Sequence, residues 1–113
     1  MLVARSSPFG GQTRTLVLLA LSLLEESFPR ELARLLRKPL NGIQQAIKGL
    51  EADGIISGRT AGRTRLFRLN PRYFARDELQ AYLTRLAEPE AELTRQVSTL
   101  RRRPRRTSKP LSA

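Results

Sequence analysis

Between residues 40 and 53 the chain sets Asn41, Gln44, Gln45 and Lys48 against Ile43, Ala46, Ile47 and Leu50. The four apolar residues fall at i, i+3, i+4 and i+7, a single stripe of a helix, which sends the amides and the ammonium to the opposite face. A carboxamide carries a donor and an acceptor side by side, so it can form two hydrogen bonds with the edge of an adenine in the major groove of double-stranded DNA. A lysine on the same face reaches guanine or a phosphate. Asn41, Gln44, Gln45 and Lys48 are therefore candidate base-reading residues. A polar helix face is by itself only a solvated one, so the weight of this reading comes from its surroundings.

Those surroundings are cationic. Arg59, Arg63 and Arg65 lie around Gly58 and Gly62, and guanidinium forks suit phosphate or a narrow minor groove, where negative potential concentrates. Arg30, Arg34, Arg37 and Lys38 precede the amide-bearing segment and are further candidates for contact with the duplex backbone. Arg101, Arg102, Arg103, Arg105, Arg106 and Lys109 crowd the C-terminal end and suit nonspecific attraction by a tail without order of its own. The net charge is +11, with eleven Lys and Arg against three acids between residues 29 and 76. Residues 77–100 are acid-rich, so the internal basic block and the basic tail are separate features, and both point to a polyanionic partner.

The sequence has neither Cys nor His. That removes thiolate and imidazole metal sites, disulfides and the usual nucleophile–base pairs. Ten acids remain, and no pair of them sits among apolar neighbours of the kind that retune a carboxyl for acid–base work. The chain is read as non-enzymatic, with no catalytic residue, no cofactor and no metal. Tyr73, Phe74 and Tyr82 fall with the apolar stripe of the later helices and are expected as core or dimer contacts, not as base-stacking platforms. The longest apolar stretch, residues 16–24 interrupted by Ser22, is far short of the roughly 20 residues that span a bilayer. It reads as core, with no membrane partner, and the expected location is cytoplasmic and nucleoid-associated.

The elements that must position these groups follow from local signals. Residues 13–26 read as a first helix with a Thr13 cap, apolar nearly all round, which must be covered on several sides or pair across a dimer. Residues 30–38 form a short amphipathic helix after Pro29, and Pro39 forces a break at Lys38. The amide-bearing helix follows over 40–53, ended by Gly54 in a left-handed cap. Gly49 inside it costs about 1 kcal/mol against Ala, a hint of close packing. Ile55-Ile56 opens a strand, residues 57–64 make a long basic turn, and 65–69 return as a second strand. Asn70-Pro71 and the capping-box spacing from Asp77 to Gln80 suggest a helix starting at 71 and restarting near 78. A last helix runs from Glu88-Pro89 to Pro104, with Leu93, Val97 and Leu100 as a narrow seam.

This order resembles the winged helix-turn-helix domains of ArsR- and MarR-type regulators. The run Arg30-Glu31-Leu32-Ala33-Arg34-Leu35-Leu36 matches that family's second helix and residues 43–50 its recognition helix. Leu50-Glu51-Ala52-Asp53-Gly54-Ile55-Ile56 matches its helix-to-wing junction, and Phe9-Gly10-Gly11 with Thr13-Arg14 is similar to the start of some ArsR-like domains. The resemblance implies transcriptional control by a homodimer with the second helix of the pair in the major groove, while the missing Cys and His depart from the metal-sensing branch. The expected organisation is mainly α with a small β-hairpin: an arm over 1–8, a winged domain over 9–87, a possible dimerisation helix over 88–103 and a basic tail over 104–113. The alternative is a winged-helix accessory module that packs on a protein partner, for example a toxin or nucleotidyltransferase, with only nonspecific nucleic-acid affinity. RNA is disfavoured, because a protruding helix cannot read the narrow major groove of A-form RNA.

Overall fold

In a computed structural model, which describes residues 7–102, five helices and one antiparallel hairpin follow in the order α1 (Gln12–Leu24), α2 (Pro29–Leu36), α3 (Leu40–Ala52), β1 (Ile56–Ala61), β2 (Thr64–Leu69), α4 (Arg76–Ala87) and α5 (Ala91–Arg102). The mainly helical class with a small hairpin is as expected from the sequence. Residues 1–6 and 103–113 lie outside the described part, and with them Arg103, Arg105, Arg106 and Lys109. Of Arg101 and Arg102 only the helical backbone is described.

The all-round apolar character of α1 is explained by its position. Leu16, Val17, Leu18, Leu19, Ala20 and Leu21 are each at most 1% exposed, and α1 packs against α2, α3, α4, α5 and β2. Each large side chain so buried contributes about 1.5–3 kcal/mol of transfer free energy. α1 begins at Gln12 after Gly11, and no side chain caps it; Thr13 therefore sits within the first turn and not at the cap. Ser7 and Pro8, expected as part of a loose arm, form a turn in which Ser7 bridges Gly10 and its Oγ lies 2.9 Å from Thr15 Oγ1.

Pro29 occupies the first turn of α2, where its missing N–H is no loss. The helix ends on Arg37, whose φ of 56° is left-handed, while the Lys38 N–H donates to Ala33 O at 3.1 Å. Pro39 is extended and α3 starts at the next residue, so three residues separate the two helices. In α3, Ile43, Ala46, Ile47 and Leu50 are buried as their spacing requires. Gly54, at φ 75°, reverses the chain, and the Ile55 N–H returns to Leu50 O at 3.0 Å.

The hairpin differs from expectation in its turn. Ala61 pairs with Thr64, leaving Gly62 and Arg63 as a two-residue loop in place of a long one. Gly62 has φ 65°, the positive first position that two-residue hairpin loops of type II′ need. The flanking polar residues 57–60 are strand. β2 has a second neighbour: Ser27, fully buried in the α1–α2 link, exchanges backbone hydrogen bonds with Phe67 at 3.0 and 2.7 Å.

Residues 71–75 are turn, not helix. Asn70 still makes the cap-type bond, its Oδ1 accepting the Arg72 N–H at 3.0 Å, while its Nδ2 donates to Gly54 O at 2.9 Å. α4 starts after Ala75 with no side-chain cap, so the Asp77–Gln80 spacing does not make a capping box. α5 starts at Ala91, two residues beyond Pro89. Leu93 and Val97 are 1% and 4% exposed within the chain's own core, and Leu100 is packed against it. The expected seam and the apolar surplus of α1 are thus satisfied inside one chain, which removes the motive for a dimer through these helices. Among the described residues, no helix is long and apolar enough to cross a membrane.

Candidate nucleic-acid interface

Asn41, Gln44, Gln45 and Lys48 are all exposed on the side of α3 opposite its buried stripe. Among the described residues none of their side chains is tied up in a hydrogen bond or ion pair. Gln45 borders a shallow depression that α3 shares with the start of α1, lined by Gly11, Gln12, Thr13, Arg14 and Gly42. The amide-bearing face therefore continues onto the N-terminal turn of α1.

Two arginines fix α3 at its C-terminal end. Arg14 reaches from α1 to bond Asp53 at 2.6 Å and Phe9 O at 2.7 Å. On its way it passes over Gly49, where a Cβ would overlap Arg14 Nη1 and push the guanidinium aside. From the other side, Arg65 on β2 bonds Glu51 at 3.1 Å and stacks on the Phe67 ring with its guanidinium carbon 5.0 Å from the centroid. Positive groups at a helix C-terminus are also favourable to its dipole. These contacts join the hairpin and α1 to the end of α3.

Arg59 is likewise engaged. It grips Glu26 through two hydrogen bonds of 2.9 and 3.0 Å, and the carboxylate raises the guanidinium pKa above its ordinary value, by the hydrogen bond first and by charge second. A guanidinium is charged at any relevant pH, so the consequence is a fixed position and not a titration. Of the three arginines expected on the wing, Arg59 and Arg65 serve as struts, and Arg63 at the tip is exposed with no carboxylate beside it among the described residues.

The basic residues of α2 lie elsewhere. Arg34 lines a groove with Gln96, Thr99 and Leu100 of α5, while Arg37 and Lys38 border a second with Glu92 and Gln96. Lys38 Nζ also donates to Gln12 Oε1 at 2.9 Å. No amide-bearing residue of α3 lines either groove, so Arg34 and Arg37 share a surface with α5, while Lys38 reaches through Gln12 to the edge of the depression beside Gln45. Arg30 is exposed on α2. Sequence reasoning misses Arg68 and Arg72, both exposed and free of carboxylate partners among the described residues. Phe74, expected in the core or at a dimer contact, is 91% exposed. Tyr73 and Tyr82 are partly buried against the core, Tyr82 facing Phe9 at 6.0 Å between ring centroids.

Compared with family models, with curated proteins and with solved structures, the chain matches none significantly.

Proposed function

We propose that this chain is a winged helix-turn-helix protein that binds double-stranded DNA sequence-specifically, as a transcriptional regulator does. α2 and α3 are the helix pair, α3 enters the major groove, and β1–β2 is the wing with Arg63 at its tip. The observation that carries this reading is the outward face of α3: three carboxamides and an ammonium, exposed together, on a helix anchored by a buried stripe and two arginine struts. The order of elements supports it, as does the backbone pairing of Ser27 with β2, which gives the hairpin a third, one-residue strand from the link before α2. A homodimer, if the regulator forms one, uses a surface other than α1 and the Leu93–Val97 stripe.

The accessory-module reading predicts duplex binding without sequence preference. Selection from random duplexes, run with the intact chain and with Gln44→Ala/Gln45→Ala, separates the two. The DNA-reading account expects one enriched sequence, and the variant should lose that preference while unfolding at the same temperature, since both residues are exposed. Removing one amide–adenine pairing should cost about 1–3 kcal/mol of discrimination. An unenriched pool from the intact chain would instead favour the protein-partner alternative.

A further inference from the structure

Phe74 is the one large hydrophobic residue exposed among the described residues. It follows β2 in the turn before α4, at the opposite end of the hairpin from Arg63, about 17 Å along the strand at ~3.3 Å per residue. Its ring meets Tyr73 in a tilted contact, centroids 5.0 Å apart at 58°. Tyr73 is packed against the core, so it backs Phe74 on one side while an exposure of 91% leaves the rest of the ring open.

Three cations stand against two exposed acids, Asp77 and Glu78, in the segment around it. Arg68, Arg72 and Arg76 are all exposed in the same short segment. Among the described residues the only carboxylate bonded to any of them is that of Asp77, 3.4 Å from Arg76 and itself 89% exposed, a contact that water screens. An open aromatic ring in a segment with three exposed arginines suits a ligand with both flat π-faces and phosphates. A paired duplex hides its base faces in the stack, whereas a single strand presents both.

We infer that Phe74, backed by Tyr73 and sharing its segment with the exposed Arg68, Arg72 and Arg76, is a stacking site for an unpaired base of single-stranded nucleic acid. It is distinct from the α3 face and goes beyond the duplex reading. A protein carrying both could hold a duplex by α3 and an adjoining unpaired strand at Phe74.

The test uses the full chain, which contains no Trp, so Phe74→Trp provides a single Trp at the site, excited selectively over the two Tyr residues. It is titrated with a 20-nucleotide oligo-dT and with a duplex of equal length, while Phe74→Ala is followed by anisotropy on both. Expected are quenching of the Trp by the single strand and about tenfold weaker single-strand binding by Phe74→Ala, with duplex affinity within twofold of the parent. Unquenched emission, or single-strand binding that Phe74→Ala leaves unchanged, would overturn the inference. So would emission that changes with protein concentration alone, which would mean a second copy covers Phe74. Because Gln44→Ala/Gln45→Ala acts on the duplex arm only, failure of the α3 reading and failure of this one give different patterns.

Discussion

At Gly58 the hairpin has no room for a side chain. A Cβ there would lie 2.6 Å from Arg65 Nη2 and 2.7 Å from Phe67 Cε1, and the Phe67 ring is only 4% exposed, so it cannot swing out to make way. Gly58→Ala should therefore cost about 1–3 kcal/mol by overpacking. A thermal midpoint lower by several degrees checks this; an unchanged midpoint would mean that Phe67 is not pinned. The same residues show why single positions were only partly legible in the sequence. Gly49 and Gly58 read as weak points in a helix and a strand, yet what each accommodates, Arg14 in one case and Arg65 over Phe67 in the other, comes from a residue 35 or 7 positions away. The arginines at 59 and 65 read as free cations because the Glu26 and Glu51 that hold them are 33 and 14 positions distant.

Among the elements, those with strong local grammar were legible. α2, α3 and the break between them follow from apolar spacing and from Pro29, Pro39 and Gly54, all signals within a few residues. The hairpin turn was not, because Ser57, Gly58 and Arg59 have little strand-forming character of their own and extend β1 through their pairing with β2. The absent helix at residue 71 shows the limit of a cap signal: Asn70 Oδ1 does accept the Arg72 N–H, yet the next backbone bonds, Tyr73 N–H to Asn70 O and Arg76 N–H to Tyr73 O, close three-residue turns in place of a helix. The stripe of α5 reads in sequence as a seam open to a partner chain. An apolar stripe says that a face is covered and not by what, and here the cover is α1 and α2. Leu93→Ala should then destabilise the isolated chain by about 2–5 kcal/mol, as large-to-small changes in a full core do. Urea unfolding at two protein concentrations measures it: the loss should be the same at both, whereas a concentration-dependent loss would return α5 to an interface between copies.

The molecule as a whole separates its positive charge into several surfaces. The α3 face carries Lys48, the hairpin tip Arg63, the α2–α5 side Arg34 and Arg37, and the base of the hairpin Arg68 and Arg72. Sequence alone returned their total, +11, but not this division, since faces are made by packing. If α3 and the hairpin tip hold the duplex, only those two sites should govern duplex affinity, and each phosphate contact they make steepens the fall of log affinity with log salt by about 0.9. The most direct test is therefore the salt dependence of duplex binding, by fluorescence anisotropy, for the intact chain and for Lys48→Gln/Arg63→Gln. The account predicts weaker binding by the variant at every salt concentration, with a slope shallower by about two. Equal affinity and equal slope for the two proteins would contradict it, and would place the duplex on another of the basic surfaces.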